Sequence, residues 1–297
     1  MKAPLLATTA LGLGAITATA TQEPEVQVIG QKVAGQVHIL VGQGGNIGIM
    51  SGEDGVLMID TQFAPLEEKI RGAIAEITQD VPSYVVNTHW HGDHVGGNAG
   101  FGKDGLIVAH QNVRARMKSG GGRGAPAAPE ALPDLTYDDG MTIHYNGEAV
   151  HLVHLPTGHT DGDTIVFFTG SKVVHMGDLM FNDRFPFIDL DSGGSVSGYL
   201  RALKSAYAQI GADMKVIPGH GDLGTREDIA KIIRMIEASI EVVEARMAQG
   251  MSAQEIVDAG MPEEYASWSW GFIPTDRWLS TLYRGLTEEK RAQEQSR

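Results

Sequence analysis

The sequence predicts an α/β fold in which two face-to-face sheets are covered on their outer sides by helices. Three observations predict it. Short apolar or alternating runs bounded by Gly and Asp recur in two batches; each batch is followed by a helical apolar stripe; and no linker separates the batches. The balance of 42% hydrophobic and 20% charged residues over 297 positions is that of a folded globular chain.

The N-terminus reads differently from the rest. Lys2, the apolar and small-residue run Leu5 to Ala18, and the small-x-small triplet Ala18-Thr19-Ala20 have the layout of a secretory signal peptide. Cleavage is expected near Ala20, which would place residues 21–297 in the periplasm or outside the cell as one domain. Strands are then predicted at Val37 to Val41, Ile47 to Ser51 and Val56 to Asp60, punctuated by glycine-rich turns. A helix follows with Leu66, Ile70, Ile74 and Ile77 on one face, and Tyr84 to Asn87 is a brief buried strand. Ser119 to Pro133, rich in Gly, Ala and Pro, reads as a mobile surface loop. The second batch comprises strands at Met141 to Tyr145, Val150 to Leu155, Thr164 to Thr169 and Lys172 to Met176. It continues with a helix from Val196 to Ile210, a strand at Lys215 to Ile217, and a long helix from Arg226 with a broad apolar face from Ile229 to Val243.

Several function classes are excluded at this level. A formal charge of −14 without a cluster of Lys and Arg argues against nucleic acid and anionic membranes. After the leader, no segment reaches the ~18 apolar residues of a membrane span. Cysteine is absent, so there is no disulfide, no thiolate metal site and no cysteine nucleophile. A small-molecule substrate is the expected partner; oligomeric state is not legible.

The strongest signal is Thr88-His89-Trp90-His91-Gly92-Asp93-His94, directly after a predicted strand. Three imidazoles and a carboxylate in six residues form a dense set of metal donors. In a loop backbone His89 and His91 project to one side, and Asp93 and His94 lie further round the turn, within reach of a second ion. Partners recur downstream at strand ends: His159 in Thr157-Gly158-His159-Thr160, Asp178 in Gly177-Asp178, and His220 in Pro218-Gly219-His220-Gly221. Of eleven histidines five are needed; His38, His110, His144, His151, His154 and His175 read as structural.

The ordered motifs H-x-H-x-D-H, T-G-H-T, G-D and P-G-H-G resemble the metallo-β-lactamase superfamily of metal-dependent hydrolases, over about residues 30 to 245. The resemblance implies an αβ/βα sandwich of two mixed sheets with the site at one edge. It further implies a first metal on His89, His91 and His159, a second on Asp93, His94 and His220, and Asp178 bridging them. Asp60, ending its strand beside Thr61, is the expected outer carboxylate that fixes a ligand histidine. Zinc is the expected ion, two per chain, although iron and manganese also suit nitrogen and oxygen donors.

The expected chemistry is hydrolysis of a lactam, lactone or ester carbonyl by water activated at the metals, with Asp93 orienting the nucleophile and accepting a proton. Next to the β-lactamase branch that reads G-G-C-L-V-K, Asp178 stands at the cysteine and Phe181 at the substrate-gripping lysine, so β-lactam opening is expected to be weak. Asn46, Phe181 and Arg184 are the expected substrate contacts. Trp268, Trp270, Phe272 and Trp278 either roof the pocket or, the favoured reading, bury the last helix. Two alternatives stand beside this: a glyoxalase II-like thioesterase, and a diiron redox module on the same fold.

Overall fold

Successive residues of a strand point to opposite faces of its sheet, and along Val56, Leu57, Met58 and Ile59 both sets are fully buried. Leu57 and Ile59 pack between the two sheets, whereas Val56 and Met58 pack outward with Ile70 and Ile74 of a covering helix. A strand apolar on both faces needs cover on both, and the architecture supplies it. The structure, a computed structural model, describes residues 25–122 and 124–296. The expected leader ending near Ala20 lies outside these residues.

Among the described residues the first sheet has seven strands in sequential spatial order: β1 (Ile29–Ala34), β2 (Val37–Val41), β3 (Ile47–Gly52), β4 (Gly55–Ile59), β5 (Pro82–Asn87), β6 (Leu106–His110) and β7 (Leu135–Tyr137). The pairs from β1 to β4 are antiparallel, and those from β4 to β7 are parallel. Its helices are α1 (Glu67–Ala75), α2 (Gly92–Val95), α3 (Asn98–Phe101) and α4 (Gln111–Ser119). The second sheet holds β8 (Gly140–Tyr145), β9 (Glu148–His154), β10 (Thr164–Phe168), β11 (Val173–His175), β12 (Lys215–Ile217) and β13 (Gly224–Thr225), in spatial order from β13 to β8. Only β11 and β12 pair in parallel here, because α5 (Val196–Gln209) lies between them as a crossover. The helices α6 (Arg226–Ala248), α7 (Ala253–Asp258) and α8 (Thr275–Gln295) complete the described chain. A capping box between Thr225 and Asp228 satisfies the first backbone donors of α6.

The expected α/β sandwich of two mixed sheets flanked by helices is therefore the observed fold. The interior between the sheets joins Val86, Val108 and Ile39 to Leu152, Val166 and Ile217. Outside the second sheet, Ile165 and Val174 pack with Tyr199, Leu203, Ile232, Ile236 and Trp278.

Local differences have local reasons. Ile77, expected on the first helix, lies beyond the end of α1. β1 escapes a periodicity reading because its first four residues are exposed, and β7 because it has only 3 residues. The 119–133 segment contains two 3₁₀ turns, Gly120–Gly122 and Pro129–Ala131, and it is not wholly superficial, since Ala131 is buried beside Val113 and Met117.

Candidate metal centre

Four loops that follow β5, β9, β11 and β12 carry the seven expected donors, and tertiary structure brings all seven together in two groups. His89, His91, His159 and Asp178 form one; Asp93, His94 and His220 form the other. Within each group the donor atoms lie within 4.8 Å of one another. In the first, His91 Nδ1 is 3.1 Å from His89 Nε2 and 2.8 Å from His159 Nε2. In the second, His220 Nε2 is 3.3 Å and His94 Nε2 is 3.6 Å from Asp93 Oδ2.

Asp178 stands between the groups with one oxygen toward each. Its Oδ2 lies 3.8 Å from His89 Nε2 and 3.5 Å from His159 Nε2. Its Oδ1 lies 3.1 Å from His94 Nε2 and 3.4 Å from His220 Nε2. The 3₁₀ turn Gly177–Leu179 after β11 holds it there, and the buried Tyr199 hydroxyl donates to its main-chain carbonyl at 3.0 Å.

The outer nitrogens of four imidazoles determine which nitrogens face inward. His94 Nδ1–H donates to Asp60 Oδ2 at 2.7 Å, His91 Nε2–H to Asp189 Oδ2 at 2.8 Å, and His159 Nδ1–H to the Phe187 carbonyl at 2.7 Å. Thr88 Oγ1–H donates to Asp60 Oδ2 at 2.7 Å, so Thr88 Oγ1 in turn accepts from His89 Nδ1–H at 3.1 Å. Asp60 also accepts from the Thr88 amide at 2.8 Å, and it is held in place by a left-handed backbone, φ 62°. It thus contacts a histidine of the second group directly and one of the first by way of Thr88.

With the outer nitrogens committed as donors, His89 Nε2, His91 Nδ1 and His159 Nε2 present lone pairs to one another. Acceptors in such proximity repel unless a cation lies among them. A tetrahedral ion with ligands at ~2.0–2.1 Å separates them by roughly 3.3 Å, within the observed spread. His94 Nε2 and Asp178 Oδ1 are buried without a hydrogen-bond partner, which is costly unless something else satisfies them. The backbone leaves room for these groups: a Cβ on Gly45 would come 2.2 Å from the His94 ring, and one on Gly219 2.1 Å from Asp178 Oδ1. The donor set fits divalent ions.

The electrostatics divide the groups. Burial lowers His89 well below the usual imidazole range, with His94 adding to the effect. Burial likewise brings His159 down to about 4, against the pull of Asp178. Burial also acts on His94, but Asp178, Asp93 and Asp60 outweigh it and hold that ring well above its ordinary value. His220 is raised to about 9 by Asp178 and Asp93 against its own burial. Asp178 is buried, yet the surrounding imidazoles, His94 foremost, keep it well below the usual carboxylate range.

The three expected substrate contacts sit in different surroundings. Asn46 is 3% exposed, and its amide donates to the Pro218 and Gly221 carbonyls, both at 2.9 Å; it braces the His220 loop. Phe181 is 2% exposed and stacks on His220 with centroids 5.0 Å apart, so it backs a donor. Arg184 is half-buried and lies over the Trp270 ring at 5.0 Å. The tryptophans split between the two readings: Trp268 and Trp278 are buried in the core, whereas Trp270 is 6.4 Å from His220, centroid to centroid. Sequence reasoning missed Asp189 and the Phe187 carbonyl, which lie outside the donor motifs, and the role of Thr88, which heads the first motif but was given none. It also missed Asp163, whose carboxylate accepts from the Thr160 amide and hydroxyl and is raised to about 8 by burial.

Known proteins agree with this architecture. The sequence profile of the metallo-beta-lactamase superfamily matches residues 40–220, a span that contains all seven donors. A metallo-beta-lactamase type 2 of Bacteroides fragilis is 24% identical over 168 residues, 56% of this chain and 62% of the relative. The lactamase-like protein adaB of Aspergillus niger is 24% identical over 210 residues, 70% of this chain and 57% of the relative. A hydroxyacylglutathione hydrolase of Prochlorococcus marinus (strain MIT 9301) is 29% identical over 99 residues, 33% of this chain and 36% of the relative. These alignments thus span less than two thirds of the relatives' own length. Among solved structures, a sec-alkylsulfatase from Pseudomonas sp. superposes with TM-score 0.66 at 16% identity, covering 86% of this chain and 50% of that one. A metallo-beta-lactamase from Pontibacter korlensis superposes with TM-score 0.59 at 18% identity, covering 71% of this chain and 99% of that one. With its donors inside the matched span and two helix-flanked sheets around them, the chain belongs to the metallo-beta-lactamase superfamily of hydrolases.

Proposed function

We propose that the protein is an exported, dinuclear zinc hydrolase that opens a lactam, lactone or ester carbonyl of a small molecule, with β-lactam opening a weak activity. One observation carries the reading: Asp178 turns one carboxylate oxygen to each group of imidazoles. His89, His91 and His159 would hold one ion, Asp93, His94 and His220 the other, and Asp178 both. When bound, the ions supply Lewis acidity, which brings the pKa of a water from ~15.7 to ~7 and polarises a carbonyl.

The chain's own residues do the rest. Asp93 is the most exposed of the carboxylates at the centre, with its side chain 26% accessible, so it meets the solvent side, orients the attacking water and takes its proton. Asp60, through His94 directly and His89 by way of Thr88, fixes the tautomers that keep the donor nitrogens unprotonated. Asp189 and the Phe187 carbonyl do the same for His91 and His159. No serine or cysteine nucleophile is needed.

A thioester is the second reading, favoured by the similarity to a hydroxyacylglutathione hydrolase. The test is metal content together with hydrolysis of nitrocefin, a lactone, a thioester and a secondary alkyl sulfate. The proposal expects two zinc ions per chain and a carbonyl substrate whose turnover stops with a chelator and returns with zinc. Turnover indifferent to the chelator would refute it, and visible iron absorption at full occupancy would favour the redox alternative.

A further inference from the structure

The geometry points to the segment between Trp268 and α8 as the substrate-recognition wall of this centre, built for an amphiphilic anion with a flat apolar body and a carboxylate or sulfonate group. The inference deepens the hydrolase reading and rests on it for the bond that is broken.

Three rings run in a row beside the donor groups. Phe187 lies 5.8 Å from the His91 ring and 5.5 Å from the His159 ring. Phe272 packs edge-on against Phe187 at 5.5 Å and against Trp270 at 5.6 Å. Trp270 in turn reaches His220 at 6.4 Å. The row therefore begins beside the first donor group and ends beside the second. Its outer member, Phe272, is 48% exposed, an apolar area that a folded chain gains nothing by leaving in water.

The wall is held rigidly. Trp268 and Trp278 bury the two ends of the segment, Trp278 stacks on Phe185 at 5.5 Å, and Trp270 Nε1–H donates to the Phe185 carbonyl at 2.9 Å. Rings on an anchored segment offer contact area at small entropic cost.

Two guanidiniums lie over this wall. Arg277 sits 4.4 Å from the Phe272 centroid and 5.1 Å from that of Phe187, with one N–H on the Phe272 carbonyl at 2.8 Å. Arg184 sits 5.0 Å from Trp270. Neither forms an ion pair with a carboxylate among the described residues, in a chain with 37 acids and 23 bases. Each guanidinium sits over a ring and has N–H donors left for a planar or tetrahedral anion.

Calorimetry on the zinc-loaded full chain tests this with three non-hydrolysable probes: 3-phenylpropanoate, 3-phenylpropanamide and propanoate. The first should bind about tenfold more tightly than either of the others, since one lacks the charge and one the ring. Phe272→Ala should erase the preference for the ring and keep that for the charge. Arg277→Gln, alone and with Arg184→Gln, should do the reverse; both side chains are half-buried, and unchanged zinc content verifies that the centre is intact. If the preferences survive these substitutions, the carboxylate is held by the metals alone and the inference fails. Chelator-sensitive turnover with no ring or charge preference overturns this inference only. Intact preferences without chelator-sensitive turnover overturn the hydrolase reading only.

Discussion

The two donor groups use the same residue types and differ in depth and charge. In the first, His89 and His159 are buried and depressed in pKa, so neutral donors await an ion. In the second, Asp93 and His220 are partly accessible, and His94 and His220 are raised by the carboxylates beside them. Buried imidazoles pinned on their outer nitrogens, as His89 and His159 are, hold an ion by pre-organisation; partly accessible donors such as Asp93 and His220 can exchange an ion and meet substrate. Under the proposed function the first group is the anchor and the second the working face.

The most severe way to break this comparison is to remove the residue both groups share. Asp178→Ala should lower kcat/KM by about a thousandfold and leave at most one zinc per chain, read by turnover and by metal analysis. Full activity with two ions would dismiss its bridging role. Next are the outer carboxylates. Asp189→Asn should cost about 10–100-fold in metal affinity or activity through its hydrogen bond to His91. Asp60→Asn should cost as much or more, because Asp60 accepts with both oxygens and an amide has one, so its NH2 must face either the Thr88 amide or the His94 side; competition with a chromogenic chelator ranks the two.

A milder contrast comes from graded chelation of the unmutated protein. Zinc should leave in two phases, with the second group emptied first. The Asp93→Asn variant should accelerate the fast phase and leave the slow phase nearly unchanged, as followed by stopped-flow chelator absorbance. A single phase would make the groups equivalent.

The smallest effect concerns two histidines outside both groups. His110 and His154 stack at 3.7 Å, and burial lowers the pKa of each. Below an unfolded value of about 6.5 the unfolded chain takes up protons that the folded pair resists. The stability from this pair is therefore complete above that pH and is lost as pH falls toward the lower folded values. Melting temperature should drop by a few degrees between pH 7.5 and pH 5.5 at constant zinc, and His154→Phe should flatten part of that slope.

Much of the centre was legible in the primary structure because the donor types are rare and their spacing is local. His89, His91, Asp93 and His94 sit in one turn, and His159, Asp178 and His220 each end an apolar run that only a buried strand explains. Val37–Val41 and Lys215–Ile217 were legible as strands for the same reason. What no local pattern contains is partnership across the chain. Asp189 finds His91 98 positions away, and Asn46 reaches Pro218 across 172. Phe181 looked like a contact because of its place after Asp178, and only packing turned it against His220. Likewise Trp268 and Trp278 went to the core while Trp270 and Phe272 went to the rim, although all four are alike in composition. Donor chemistry is a property of residues and short spacings, and the sequence determined it; which neighbours pin, bury or expose each donor depends on distances set by the packed sheets, and only the tertiary structure decided that.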